Sequence, residues 1–235
     1  MTTDRADAAS LHDALVERLG SAIVRGDLAA GSRLVTAELS TGSSRGAGRE
    51  AVRVLQSLGL VRVRRKTGVE VLPSSEWNVY APEIIAWRLA GPGRAAQLRE
   101  LGDLRGAIEP LAARAAAACA TDDQRRDLVA AVMEMARTER DADGADYLAA
   151  DVRFHRTLLA ASGNAMFAAL GSVVESVLVG RTLHDLMPHD ANPHAVRWHQ
   201  DVAFAVTAGR ADDAAHAMSL IVREAGEAMA SATGS

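Results

Sequence analysis

The chain has 235 residues, 49% of them hydrophobic and 24% charged, which is enough apolar material for one large or two modest packed domains and excludes global disorder. Only 3% is aromatic, there is a single cysteine (Cys119), and the net charge is −4; this excludes a disulfide framework, fits a reducing compartment and favours alanine-filled helices over a β-sandwich. Met1 to Ala9 lacks the apolar core of a signal peptide, and no stretch approaches the roughly 20 uncharged apolar residues of a membrane helix, so a soluble, mostly helical, intracellular protein is expected.

In chain order, Leu11, Leu15, Leu19, Ile23 and Val24 recur at three- and four-residue steps, predicting an amphipathic helix with Ser10 as N-cap and Gly26 as its end. A short second helix fits Thr36 to Ser40, and Thr41 to Ser44 makes a turn. A third helix runs from Arg45 to about Leu58, with Ala51, Val52, Leu55 and Leu58 on one face and Arg45, Arg49 and Arg53 on another. Leu60 to Val63 and Val69 to Leu72 alternate as two strands of a hairpin whose tip holds Arg64, Arg65, Lys66, Thr67 and Gly68. Residues 45–66 contain seven cations against one acid, Glu50, so that residues 1–75 carry a net +3 and the remainder a net −7. Such asymmetry points to a polyanion-binding module joined to a second domain, although a merely solvated basic face has the same composition.

After a linker at Pro73 to Ser75, Trp77 to Leu89 is apolar at helical spacing and breaks at Gly91 to Gly93. Helices are then expected over Ala95 to Ala120, around Leu128 to Met135, over Tyr147 to Ala161, from Phe167 towards Leu186, over Trp198 to Ala208 and over Ala211 to Ala230. Six or seven helices with short connections make an antiparallel helical bundle. The expected organisation is a winged helix-turn-helix of three helices and a β-hairpin over 1–72, a linker and connecting helix over 73–94, and an all-α domain over 95–235.

In a winged helix-turn-helix the third helix enters the major groove, where arginine bonds bidentately to guanine. Ser44 at the helix start can meet a phosphate, and the basic hairpin tip faces the neighbouring backbone or minor groove. Gly26-Asp27-Leu28, Gly31-Ser32-Arg33-Leu34, Ser44-Arg45, Arg49-Glu50-Ala51 and Leu55 to Val61 resemble the GntR transcription regulators over residues 11–72. The resemblance implies DNA contacts at Arg45 and Arg49 and a wing at Lys66 to Gly68. The chain departs from that pattern in a segment Glu38 to Ser43 about two residues short, and in Gly46-Ala47-Gly48. Each interior glycine costs about 1 kcal/mol of helix stability relative to alanine.

In the second domain Asp151 and His155, four residues apart beside Val152, Leu158 and Leu159, share a helix face. The pair suits a divalent metal with His199 as third partner, or a buried hydrogen-bonded pair with no metal. Arg105 lies in the apolar repeat of its helix, so it points inward and needs an anion, which a salt bridge to Glu109 or Asp151 can supply and for which the family resemblance given below implies a ligand carboxylate as the alternative. Arg181, following Val174 and Val177 at helical spacing, can face the same interior. His184, His189 and His194 flank a loop and read as solvated.

Asp151-x2-Phe154-His155, Arg105, Glu109, Asn164 after Ser162-Gly163, and His199 followed by Ala208-Gly209 and Ala214 resemble the FCD ligand-binding domain of the FadR branch of that family. The resemblance implies that Arg105, Asp151, His155, His199 and Asn164 line an effector site. Metal-binding members use one Asp and three His, which here means Asp151, His155, His199 and, where the last His is due, Ile221; weak or absent binding of a metal such as zinc is expected. Trp77-Asn78-Val79 and Ile85-x-Trp87-Arg88-Leu89 resemble the sugar-acid-responsive members.

The reading is a cytoplasmic homodimeric repressor that binds double-stranded operator DNA and is modulated by a small carboxylate, with no membrane partner and no enzymatic activity. The alternative is a small helical metal-dependent hydrolase using Asp151, His155 and His199.

Overall fold

A computed structural model describes residues 3–34, 45–64, 68–184, 187, 189 and 191–233. The chain divides into two units, residues 1–94 and 95–235.

The first unit begins with α1 (Thr3–Arg25), continues with β1 (Arg33–Leu34) and α2 (Arg45–Ser57), then the hairpin strands β2 (Val61–Arg64) and β3 (Gly68–Val71), and ends with α3 (Pro82–Ala90). The expected helix at Thr36 to Ser40, the short segment Glu38 to Ser43, and the hairpin tip at Arg65 to Thr67 lie outside the described residues. Ser10 is not an N-cap, because α1 is already helical from Thr3; the alanines at 6, 8 and 9 favour continuing the helix over stopping it. At the other end Leu28 N–H reaches back to Ala22 C=O at 3.2 Å around Gly26, a glycine-dependent C-cap. The sheet has three strands in the order β1-β3-β2, all antiparallel, with Leu34 opposite Val69 and Val61 opposite Val71. β1 was not expected, since two residues are too few to show a period.

Leu19, Ala51, Leu55, Leu60 and Val71 form the buried core of this unit, and Ala81, Ile84 and Trp87 are packed into the same cluster. The apolar face of α3 is thus buried within the first unit. The helix starts at Ala81–Pro82 rather than at Trp77, with Pro82 at the position where its missing N–H costs nothing. Trp87 approaches α1 so closely that a Cβ on Gly20 would fall 2.2 Å from its ring, and its indole N–H donates to Glu17 at 2.8 Å. Gly59 ends α2 with φ +74°, and a Cβ there would meet the Glu76 carbonyl oxygen at 2.2 Å. Helix α2 and the sheet can join only through a glycine at that position.

The second unit is helical throughout: α4 (Arg94–Cys119, its first residue belonging to the preceding unit), α5 (Asp122–Arg137), α6 (Ala145–Ala161), α7 (Ala165–Ala169), α8 (Gly171–Leu183), α9 (Ala195–Thr207) and α10 (Ala211–Thr233). Helix α5 opens with a capping box in which Thr121 and Gln124 exchange side-chain and backbone hydrogen bonds. α6 packs on α5 and α8, and α9 packs on α5 and α10. Phe154, Leu158, Leu128, Val202, Val206 and Met218 centre the core, and Ile221 is buried among them. A smaller cluster of Ala112, Leu159, Val174 and Leu178 joins α4, α6 and α8.

The single helix expected from Phe167 towards Leu186 is two, divided at Leu170. The stretch Ala165–Leu183 has a mean hydropathy of 1.4 and is long and apolar enough by composition to span a membrane, contrary to expectation. As helices of 5 and 13 residues, it lacks the continuous span of roughly 20 that a bilayer needs.

Candidate functional site

In the first unit the exposed face of α2 presents Arg49 and Arg53, opposite the buried Ala51, Val52 and Leu55. This follows from helical period, since positions 49 and 53 are one turn apart and 51, 52 and 55 fall on the other side. Arg53 is paired with Glu50 at 2.9 Å. On the hairpin, Arg64 is paired with Glu70 at 2.6 Å and Arg62 with Glu76 at 3.6 Å. Among the described residues Arg49 has no such partner, so its guanidinium is free for a phosphate or a base edge. Gly68 closes the hairpin at φ +87°. Ser44, Arg65, Lys66 and Thr67 lie outside the described residues, as does the side chain of Arg45, whose backbone opens α2.

The second unit holds a cluster of charged groups in its interior. Arg105 and Glu109 lie one turn apart on α4, Asp151 and His155 one turn apart on α6, and His199 on α9; all five are buried. Their helices bring apolar faces together, and these residues sit in those faces, so folding forces the polar groups into mutual contact. Arg105 Nε donates to Glu109 Oε1 at 2.5 Å, and its Nη2 stands 3.4 Å from both Glu109 Oε2 and His155 Nε2. Glu109 Oε2 is 2.7 Å from His155 Nδ1, close but off-line for a hydrogen bond. Asp151 Oδ1 faces His155 Nε2 at 3.2 Å and His199 Nε2 at 3.4 Å. His199 Nδ1 lies 2.7 Å from the Ala195 carbonyl, which fixes the proton on that nitrogen and leaves Nε2 turned towards Asp151.

The electrostatics follow from burial and these pairings. Burial pushes the Glu109 carboxyl up, but the Arg105 guanidinium and the His155 ring outweigh it and hold it at about 2. Burial likewise opposes ionisation of Asp151, yet the two imidazoles facing it hold it well below the usual carboxylate range. His155 is pulled down by burial and raised further by Glu109 and Asp151, for a net rise. Arg181, buried on α8, is shifted down, first by burial and then by the neighbouring charge of Arg105.

Asp151, His155 and His199 each offer one ligand atom, all within 4.8 Å of one another. Asp151 Oδ1 and His199 Nε2 have no aligned hydrogen-bond partner, and a carboxylate oxygen facing imidazole lone pairs needs either protons or a cation between them. By donor type and orientation the residues fit such an ion. They supply three ligands only, because Ile221 is part of the apolar core, and the Arg105 guanidinium stands beside one of them.

Of the remaining expected site residues, Arg181 is at this interior, within electrostatic reach of Arg105, Asp151, Glu224 and Tyr147. Asn164 is not part of the cluster. It is exposed, and its side chain caps α7 by accepting from Met166 N–H at 2.9 Å, which is what an Asn before a short helix does best. His194 stacks on Trp198 and His189 lies 2.9 Å from Asp143. Tyr147, Asn192 and Glu224 were not anticipated. Tyr147 stands one turn before Asp151, the spacing that could have revealed it, whereas the Asn192–Glu224 hydrogen bond of 2.9 Å joins residues far apart in sequence. An open groove of about 580 Å³ between α4 and α10, lined by Leu98, Gly102, Gly106 and Val222, involves none of these charged groups.

Residues 100–224 match the FCD domain family. The chain is 29% identical over 168 residues to the galactonate operon transcriptional repressor of Escherichia coli, covering 70% of this chain and 72% of that protein. It is 28% identical over 167 residues to an uncharacterized HTH-type transcriptional regulator, YieP, of the same organism, covering 69% and 72%. Among solved structures, E. coli McbR/YncC aligns with a TM-score of 0.54 at 17% identity, over 95% of this chain and 98% of that one, a likeness of fold.

Proposed function

Because the chain belongs to the FCD domain family, in the FadR branch of the GntR transcription regulators, we propose that it is a metabolite-responsive repressor whose α2 reads operator DNA and whose helical bundle binds a small carboxylate. The observation that carries this reading is the buried cluster of Arg105, Glu109, Asp151, His155 and His199 in a unit joined to a winged module whose exposed Arg49 has no ion-pair partner among the described residues. Buried charge of this density is costly unless matched, and an anionic metabolite can complete the balance. The name of the galactonate repressor supports a sugar acid as effector. A weakly held divalent cation on Asp151, His155 and His199 would supply a Lewis-acidic contact for an effector oxygen.

The partners are double-stranded operator DNA and a second copy of the chain, and the compartment is the one that holds the DNA, the cytoplasm. Both relatives are named as transcriptional regulators, which favours this over a metal-dependent hydrolase. The test is an electrophoretic mobility shift with DNA flanking the protein's own gene, with galactonate and other sugar acids added as release agents. A salt-sensitive specific shift released by one acid is expected; specific binding that no acid alters would overturn the effector half. Elemental analysis of protein purified without chelator tests the cation, and stoichiometric tight zinc would contradict the three-ligand account.

A further inference from the structure

We propose that the open groove between α4 and α10 is the face on which a second copy of the chain docks, about a two-fold axis. This rests on the reading of the protein as a dimer and names the surface that makes it one.

The two helices run antiparallel, since Arg114 of α4 pairs with Asp212 of α10 and Gly106 lies against Val222. One turn further along, Gly102 comes level with Gly226, and there the groove of about 580 Å³ lies open over Leu98 and Val222. The chain by itself gives no reason for glycine at these positions. A Cβ on Gly102 or Gly226 would meet nothing within 4 Å, and one on Gly106 would make only an ordinary contact with Val222 at 3.9 Å. None of the three has a positive φ. Each therefore costs helix stability relative to alanine with no return inside one copy. What the missing side chains do allow is close approach of another backbone from outside, and glycines four apart on α4 present that opening on one face.

The rims of the groove identify the visitor. α4 contributes Arg99 and Asp103, one turn apart, and α10 contributes Arg223 and Glu227, again one turn apart; all four are exposed. Among the described residues no ion pair holds Arg99, Asp103 or Arg223. Two cations and two acids make a face of no net charge with both signs on each rim, whereas a polyanion or an anionic surface selects for one sign. Such a face is complementary to itself: a two-fold axis turns it onto its own image, so that the cations of each copy meet the acids of the other. Laying α4 of one copy against Gly102 and Gly106 of the other also seats its charged rim in the facing groove.

The experiment measures the dimer dissociation constant of the full-length protein by sedimentation, with circular dichroism as the control for folding. Gly102→Leu fills space that is open within one copy, so it should keep its helical spectrum. It should weaken the dimer about 100-fold or more, because symmetry places the obstruction in the interface twice. Arg99→Glu with Arg223→Glu makes the face wholly acidic, and Asp103→Lys with Glu227→Lys makes it wholly basic. Each of these doubly substituted proteins should be monomeric at micromolar concentration, and an equimolar mixture of the two should form a heterodimer. Dimers of wild-type affinity in Gly102→Leu and in both charge-reversed proteins overturn this surface while leaving the dimer reading intact. An apolar molecule released from the purified wild type on denaturation, and retained less by Gly102→Leu, would then make the groove a ligand site instead. A wild type that is monomeric at micromolar concentration removes the dimer reading, and this surface with it.

Discussion

At the residue scale, Arg49 differs from its basic neighbours in its ion pairs. Arg53, Arg62 and Arg64 are each held by a glutamate, so a nucleic acid must compete for them, whereas Arg49 has no such partner among the described residues. Arg49→Ala should lose about 1–3 kcal/mol of specific operator affinity, with circular dichroism unchanged; operator affinity equal to wild type would remove α2 from the recognition role. The buried cluster gives a second expectation. Glu109 titrates near about 2 and Asp151 also below its usual range when folded. For a carboxylate depressed in this way, the stabilisation is complete above the unfolded-state value of about 4.3 and is lost as pH falls through the folded one. His155 is raised, so its contribution is complete below about 6.5 and is lost as pH rises past its folded value. Urea midpoints of chelator-treated protein should therefore decline on the acid side between about pH 4.5 and 2, and soften on the alkaline side. Glu109→Gln should flatten the acid decline; an unaltered acid profile in that variant would mean the carboxylate is not ionised in the fold.

Elements were legible in proportion to the length of their pattern. The faces of α2, α4 and α6 could be read from three- and four-residue recurrences, and with them the convergence of Asp151, His155 and Arg105. His199 could be placed only because its helix carried its own apolar stripe. What escaped was set by contacts between distant segments or by short elements. β1 exists because Leu34 pairs with Val69, and α7 is separated from α8 by a turn at Leu170 within one apolar stretch. The hydrogen bond between Asn192 and Glu224 depends on which side chains meet across distant segments, which spacing cannot report. α2 also carries a testable cost. Gly46 is exposed near its start and is not among the glycines with positive φ, so nothing in the backbone demands glycine there. Gly46→Ala should stabilise the first unit by about 0.5–1 kcal/mol, measured as a rise in its unfolding temperature; a fall would mean that a close approach at this position needs the missing side chain.

At the scale of the whole molecule, reading an operator of adjoining half-sites requires a two-fold protein, since one recognition helix spans too few base pairs. Sedimentation should give a dimer at micromolar concentration and a symmetric footprint on DNA; a monomer that binds the operator at full affinity would exclude this arrangement. α3 is anchored in the first unit by Trp87, whose ring fills the space over Gly20, and α4 begins at Arg94. Between the end of α3 at Ala90 and the start of α4 at Arg94 the chain has only Gly91-Pro92-Gly93. The consequence is one of slack: three residues between two helices leave little spare chain. Inserting about six Gly/Ser residues after Pro92 adds that slack. The lengthened protein should still bind the acid and still bind operator, each in its own assay, while the acid no longer releases the DNA.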